Sequence, residues 1–220
     1  MQLRFLLLKE VGITGEYITI KQEAKSEYRE KHSRFLGFIL PCKNEKQAVD
    51  IINAKKKEYW DARHVVYAYV LSDGTARFSD DGEPHGTAGK PVLDILKSSG
   101  IKDAVIVVVR YFGGILLGTG GLVRAYSAAA ISAVENSDRV KIVSAYKFSV
   151  SVGYGDYDKL SFLLKAEGAD ILSCDFADSV NVVFAVSPDK TDSLMNSISS
   201  TLSSLYVPKL EEKTEMYEKV

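Results

Sequence analysis

A chain of 220 residues with 46% apolar composition can bury one large core or two modest ones, and its length favours two domains. Its 28 basic and 29 acidic residues nearly cancel, so no net field steers the whole molecule toward nucleic acid or a membrane, and any basic surface has to be local. Cys42 and Cys174 lie far apart with no CxxC or Cys/His spacing, which points to neither a disulfide framework nor a zinc site and fits a reducing cytoplasm.

At the start, the apolar run Phe5 to Leu8 is closed off by Lys9 and Glu10. It is short for a signal-peptide core and too short to span a bilayer, so the chain is expected to be soluble, with burial or terminal disorder as alternatives for those residues. From Glu16 to Pro41, "EYITI" and "SRFLGFIL" predict two strands, with the charged "KQEAKSEYREK" around the turn. "NEKQAVDIINAKKKEYW" predicts a helix. Asn44 and Gln47 have capping-box spacing, and Ala48, Ile51, Ile52, Lys55 and Tyr59 recur at helical intervals.

A strand is expected from His64 to Leu71, and a short helix over "VLDILKSSG" that Gly100 terminates. "DAVIVVVRYF" is a continuous apolar run, as a strand covered on both faces requires. A helix from Leu122 to about Asn136 follows, and its Ala125, Ala128, Ala129 and Ala133 allow close approach to a sheet. Beyond Arg139 the pattern restarts in the order β-α-β-β-α-β, the split ferredoxin-like unit. Its first helix takes Asp156 as N-cap and ends before Gly168. Its second takes Ser187 as N-cap and Pro188 at its first position, with Leu194, Ile198, Leu202 and Leu205 on one face.

The densest chemistry lies in "RFSDDGEPHGTAGKP", Arg77 to Pro91. Asp80, Asp81, Glu83 and His85, with His64 from the preceding strand, are hard ligands for a divalent ion, but their spacing matches no ligand motif. The expectation is a structural turn made by Asp80, Asp81, Gly82, Glu83, Pro84, Gly86, Thr87 and Gly89, with no metal and no catalytic residue. A phosphate cradle is the alternative, because "GTAGKP" brings Lys90 to the start of a helix. It is not a P-loop, since Pro84 and Pro91 stand where Gly and Ser or Thr are needed, and "GTGGLV" fails the dinucleotide fingerprint at Val123. Basic and aromatic residues share neighbourhoods: Arg63 with His64, Arg77 with Phe78, Arg110 with Tyr111 and Phe112, Arg124 with Tyr126. Arginines beside exposed aromatics are one way to hold single-stranded nucleic acid. The competing reading places Tyr111 and Phe112 in the core at a strand end.

"DARHVVYAY", "RFSDDGEPHGTAGKPVLDIL" and "VIVVVRYFGGILLGTGGLVRAYSAAA", in this order and spacing, closely resemble the YigZ/Impact family. The resemblance runs from about residue 16 to the C-terminus, and residues 1–15 form an extension outside it. It implies an α+β protein: residues 16–138 as an Impact N-terminal domain with the fold of the second domain of ribosomal protein S5, and residues 139–220 as a ferredoxin-like domain similar to the last domain of elongation factor G.

The family has no firmly assigned catalytic activity. Its eukaryotic members inhibit the kinase that phosphorylates a translation initiation factor, and its bacterial members are regarded as nucleic-acid or ribosome binders. The resemblance therefore implies a non-enzymatic, cytoplasmic regulator of translation that binds RNA, the ribosome or a translation factor, with no cofactor and no membrane. The candidate RNA or anion-binding residues are Arg110, Tyr111, Phe112, Gly113, Gly114, Arg124, Lys90, His64 and Arg77. Two departures stand out. Val109 replaces a customary threonine, and Arg63 and Val65 replace Thr and Asn on either side of His64, which adds a positive charge. The alternative is a nucleotide-dependent enzyme, because "GTGGLVRAYSAAA" faintly resembles the phosphate loop of small-molecule kinases that share the S5-like fold. Such an enzyme would need a metal-holding acid and a cradle lysine, for which Asp80, Asp81, Glu83 and Lys90 are the candidates.

Overall fold

The computed structural model describes residues 15–202 and 204–219. The expectations for Phe5 to Leu8 and for most of the 1–15 extension lie outside the described residues. The chain is a mixed α and β protein that divides into two compact units, one built on residues 17–141 and the other on 142–218.

The first unit starts with β1 (Tyr17–Ile20), followed by β2 (Ala24–Glu30), β3 (Ser33–Pro41), α1 (Glu45–Glu58), β4 (His64–Val70) and β5 (Ala76–Ser79). It continues with α2 (Gly89–Ser98), β6 (Ala104–Tyr111) and α3 (Gly118–Glu135). Its main sheet has the order β2-β3-β6-β4-β5, with antiparallel neighbours throughout.

The charged segment expected to turn is instead strand β2. It pairs with β3 over Ala24↔Ile39 to Glu30↔Ser33, and the reversal is confined to Lys31 and His32, both at positive φ (43° and 65°). A two-residue turn of that hand matches the twist of a hairpin. Because β2 is an edge strand, its charges stay in water while alternate residues are half-buried. Strand β5 has no signal in the sequence: "ARFS" is only four residues long and carries no apolar alternation.

Strand periodicity sorts the side chains into two faces. Phe35, Ile39, Val66, Ala68, Ile106 and Val108 pack against Val92 and Leu96 of α2 and Ala125, Tyr126 and Ala129 of α3. Leu36, Phe38, Val65, Tyr69, Val105, Val107 and Val109 pack on Ala48 and Ile52 of α1. Covering both faces explains why β6 is buried from Ala104 through Arg110. The small residues of α3 do admit close approach. Ala125, Ala129 and Ala133 are fully buried, and a Cβ on Gly37 would lie 2.6 Å from the Ala129 carbonyl oxygen.

Helix α1 is capped as its sequence predicts, with Asn44 Oδ1 accepting from the Gln47 amide at 2.9 Å, while the Gln47 side chain accepts from the Lys43 amide. Lys55 sits on the buried stripe because its Nζ lies 4.3 Å from the Phe38 ring centroid and is tied to Glu23 and Glu58.

The second unit contains most of β7 (Arg139–Val152), then α4 (Tyr154–Ala166), β8 (Asp170–Phe176), β9 (Val180–Val186), α5 (Pro188–Thr201) and β10 (Lys209–Lys219). Strand β10 pairs with β7, β7 with β9 and β9 with β8, an order that accords with the ferredoxin-like expectation. Leu160 and Leu164 of α4 and Leu194 and Ile198 of α5 close the core over Phe148, Val150, Val182 and Phe184.

Two details differ from the sequence reading. The cap of α4 is Gly153, and Asp156 stands inside the first turn, where its Oδ2 accepts from the Tyr206 hydroxyl at 3.0 Å. Leu205 lies beyond the end of α5 and is 87% exposed, since the helix stops at Thr201 before the apolar stripe reaches it.

Candidate functional site

Register decides what meets at the end of the first unit's sheet. Arg110 of β6 lies opposite Phe35 of β3 on one side and His64 of β4 on the other, so the three form a cross-strand row. Arg110 continues the even-numbered positions 104, 106 and 108, which face α2 and α3. Its side chain is therefore carried under the helices, and only 5% of the residue remains exposed.

The acids of the turn after β5 come to meet this row. Asp80 Oδ1 accepts from the amides of Gly89 (2.8 Å) and Ala88 (3.2 Å), and its Oδ2 from that of Gly86 (2.9 Å). Helix α2 has no side-chain cap of its own at Ala88, so Asp80 satisfies its first amides from eight residues upstream. Gly89 has to be glycine there, because a Cβ would run into the backbone of Ser79.

Asp81, at φ 45°, fastens the turn to β4. Its Oδ2 accepts from the Val65 amide and its Oδ1 from Lys56 Nζ, each at 2.7 Å. Desolvation raises the Asp81 pKa, but the Lys56 and Val65 bonds outweigh it and hold the carboxyl below its ordinary value. The Asp81 carbonyl oxygen lies 2.8 Å from His64 Nδ1. A carbonyl can only accept, so Nδ1 carries a proton and Nε2 faces Glu83 Oε1 at 3.7 Å.

Glu83 is the hub. Its side chain is 4% exposed, and Oε1 receives Arg110 Nη1 at 2.5 Å and the Tyr126 hydroxyl at 2.7 Å. Burial and the adjoining carboxylate push the Tyr126 phenol well above its ordinary value, which keeps it a donor. The Arg110 guanidinium also lies 5.5 Å from the Phe35 ring centroid and 5.6 Å from that of Phe112. Its Nε is the single buried side-chain nitrogen or oxygen among the described residues that has no hydrogen-bond partner.

A cavity of about 600 Å³ opens above this cluster. Arg63, His64, Glu83 and Arg110 form its polar part, Phe112, Leu116, Leu117 and Leu122 its apolar walls, and Gly118 and Thr119 the start of α3. The structure thus brings together Arg110, His64, Phe112, Glu83 and Pro84 from the residues singled out in the sequence.

The others are dispersed. Lys90 pairs with Asp94 on the exposed side of α2, Arg77 reaches toward Glu45 at 3.8 Å, and Arg124 is exposed on α3. Tyr111 occupies the opposite face of the sheet and donates to Asp61 at 2.9 Å. Gly113 packs so close to His32 that a Cβ would overlap its backbone, and its amide donates to Ser33 Oγ at 3.2 Å, while Gly114 holds φ 84°. His85 points to solvent, and among the described residues no group of three or more His, Cys, Asp or Glu is placed to hold a metal ion.

Arg110 is a buried ion-pair member rather than an exposed one, because the strand register turns it away from water, and Arg124 and Lys90 do not join it at the cavity. The Glu83 pairings with Arg110 and Tyr126 join residues 27 and 43 positions apart, and nothing local in the sequence signals them. The apolar walls had a signal in "ILLG" between two glycine pairs.

The Impact N-terminal domain matches residues 31–134, and the Domain of unknown function (DUF1949) matches residues 150–203. An IMPACT family member of Haemophilus influenzae is 33% identical over 202 residues, covering 90% of this chain and 98% of that protein. The chain belongs to the IMPACT family. Within the family, YigZ of Escherichia coli is 36% identical over 150 residues, 66% of this chain and 74% of YigZ. YvyE of Bacillus subtilis is 45% identical over 112 residues, and that match spans about half of each protein, 50% and 52%. Among solved structures, the crystal structure of a hypothetical protein aligns with a TM-score of 0.59 and 28% identity, covering 91% of this chain and 99% of that one.

Proposed function

We propose that the protein is a non-enzymatic regulator associated with translation, acting in the cytoplasm by binding the ribosome, a translation factor or RNA through the cavity face of its first unit. Family membership motivates the setting. The observation that carries the face is the loop after β6, where Phe112, Ile115 and Leu116 are 47%, 45% and 82% exposed beside the cavity. Large apolar side chains gathered at one loop, next to a concavity, mark an interaction surface.

The same geometry favours a protein surface over an RNA backbone, because a run of phosphates needs several exposed cations and the cavity's two arginines are set against Glu83, while Lys90 is paired with Asp94 away from it. The nucleotide-enzyme reading draws no support from the side chains it would use. Lys90 is bound to Asp94, and the carboxylates of Asp80 and Asp81 are occupied by backbone amides and Lys56.

The test is co-sedimentation of the full chain with purified ribosomes, alongside titration of single-stranded RNA at several salt concentrations. Leu116→Asp should abolish co-sedimentation without lowering the melting temperature. Binding to naked RNA that falls with log salt by about 0.7 per phosphate contact, and that ignores Leu116→Asp, would shift the assignment to an RNA surface elsewhere. Absence of any association with ribosomes, factors or RNA would defeat the proposal.

A further inference from the structure

We infer that the cavity is a binding site for a small monocarboxylate carrying an apolar body. This goes beyond association with the translation apparatus and does not depend on it. The starting point is the unpartnered Nε of Arg110, a buried donor on a side chain that is 6% exposed and lines the cavity. A buried donor left unpaired is unfavourable, and a ligand acceptor at this edge would satisfy it. Glu83 occupies Nη1 alone. A carboxylate set against the Nε edge of the guanidinium would complete its fork of donors in the planar geometry that carboxylates share with arginine.

Three further features fit one negative charge at that point. Arg63 contributes a second guanidinium from the residue just before β4. Helix α3 opens onto the cavity at Gly118 and Thr119, with no side-chain cap at Leu117 and no acid in its first turn, so the positive end of its dipole is uncompensated. Two arginines against Glu83 leave a single positive charge, which suits a monoanion. A phosphate monoester would bring a second negative charge up to Glu83. Beyond the head group, Phe112, Leu116 and Leu122 offer an apolar wall, and about 600 Å³ is ample for a body the size of one aromatic ring.

The experiment titrates the purified full chain with phenylacetate, its neutral isostere phenylacetamide, and benzyl phosphate, followed by calorimetry and by side-chain arginine NMR resonances. Phenylacetate should bind saturably, about ten-fold or more tighter than phenylacetamide, and shift the Arg110 Nε–H signal. Arg63→Gln, at an exposed position, should weaken phenylacetate several-fold while the melting temperature stays put. Arg110→Gln should abolish binding, and because it also breaks a buried pair, the Arg63 variant decides if that protein fails to fold. Equal affinity for acid and amide, tighter binding of benzyl phosphate, indifference to Arg63→Gln, or no saturable binding would each overturn the assignment. Ribosome association is read separately, so either idea can fail without the other.

Discussion

Removing the charge of Glu83 tests the buried cluster directly. Glu83→Gln keeps the shape and one acceptor oxygen but leaves the Arg110 guanidinium, 6% exposed, without its counter-charge. Breaking a buried pair from one side costs about 3–5 kcal/mol, whereas replacing both partners by neutral groups is often close to neutral. Arg110→Met should cost a similar amount, and the double variant Glu83→Gln with Arg110→Met should cost about 3 kcal/mol less than the sum of the two. The coupling expected from the cycle is about 3 kcal/mol, the upper end for residues in direct contact. At about 2–4 °C per kcal/mol for a chain of this size, each single variant should melt roughly 10 °C lower, which calorimetry resolves readily. Strict additivity, or a Glu83→Gln variant as stable as the parent, would refute the idea that Arg110 depends on Glu83.

Asp80→Asn and Asp81→Asn should each lower stability by roughly 1 kcal/mol through weakened bonds to backbone amides, measured by urea denaturation. Since the Asp81 pKa is depressed in the folded state, its contribution is complete above the ordinary value of 3.8 and decays as pH falls through the folded value. Asp81→Asn should flatten that acid limb, and an unchanged limb would contradict the Lys56 and Val65 pairing. Burial and the Asp103 carboxylate push the Cys42 thiol up to about 12, so iodoacetamide at pH 8 should label Cys174 first and Cys42 only on unfolding; equal rates would show the reverse. Gly37→Ala should destabilise by about 1–3 kcal/mol, because the new methyl meets the Ala129 carbonyl of α3, and a neutral outcome in thermal melts would mean that α3 shifts freely. We also propose that the two units fold as separate domains with the break between Ser137 and Val143. A fragment of residues 16–141 should unfold cooperatively, and a soluble fragment without a cooperative transition would argue against it.

The elements that could be read from the sequence are those whose pattern is set by one dominant demand. Strand β6 is legible because both its faces are covered and its run is apolar throughout. Helix α1 is legible because Asn44 and Gln47 announce its start. Strand β2 was opaque because an edge strand with one solvated face can be as charged as a turn, and β5 because its place depends on pairing with β4 rather than on its own residues. At the site, residue types were visible but not their direction. Arg110 reads as a basic residue beside aromatics. Only the alternation through Ala104, Ile106 and Val108, taken with helices on that face, tells that it points inward. Glu83 reads as part of a turn because its partners lie on β6 and α3, and contacts of that range leave no local trace.

The two segments bordering the cavity are held very differently, which would set how the proposed ligand is exchanged. The 80–89 segment is anchored by Asp80 to α2, by Asp81 to β4 and by Glu83 to β6 and α3, so its opening would cost several hydrogen bonds at once. The 112–118 segment buries Leu117 but carries Phe112, Ile115 and Leu116 in water, and it has positive φ at Gly114 and Gly118, two points where the chain can pivot cheaply. A ligand would then enter and leave from one side only. Amide hydrogens of Gly86, Ala88 and Gly89 should exchange slowly and together, those of residues 114–116 quickly. Gly114→Ala, away from the cavity lining, should change association and dissociation rates in step, leaving the equilibrium constant largely alone.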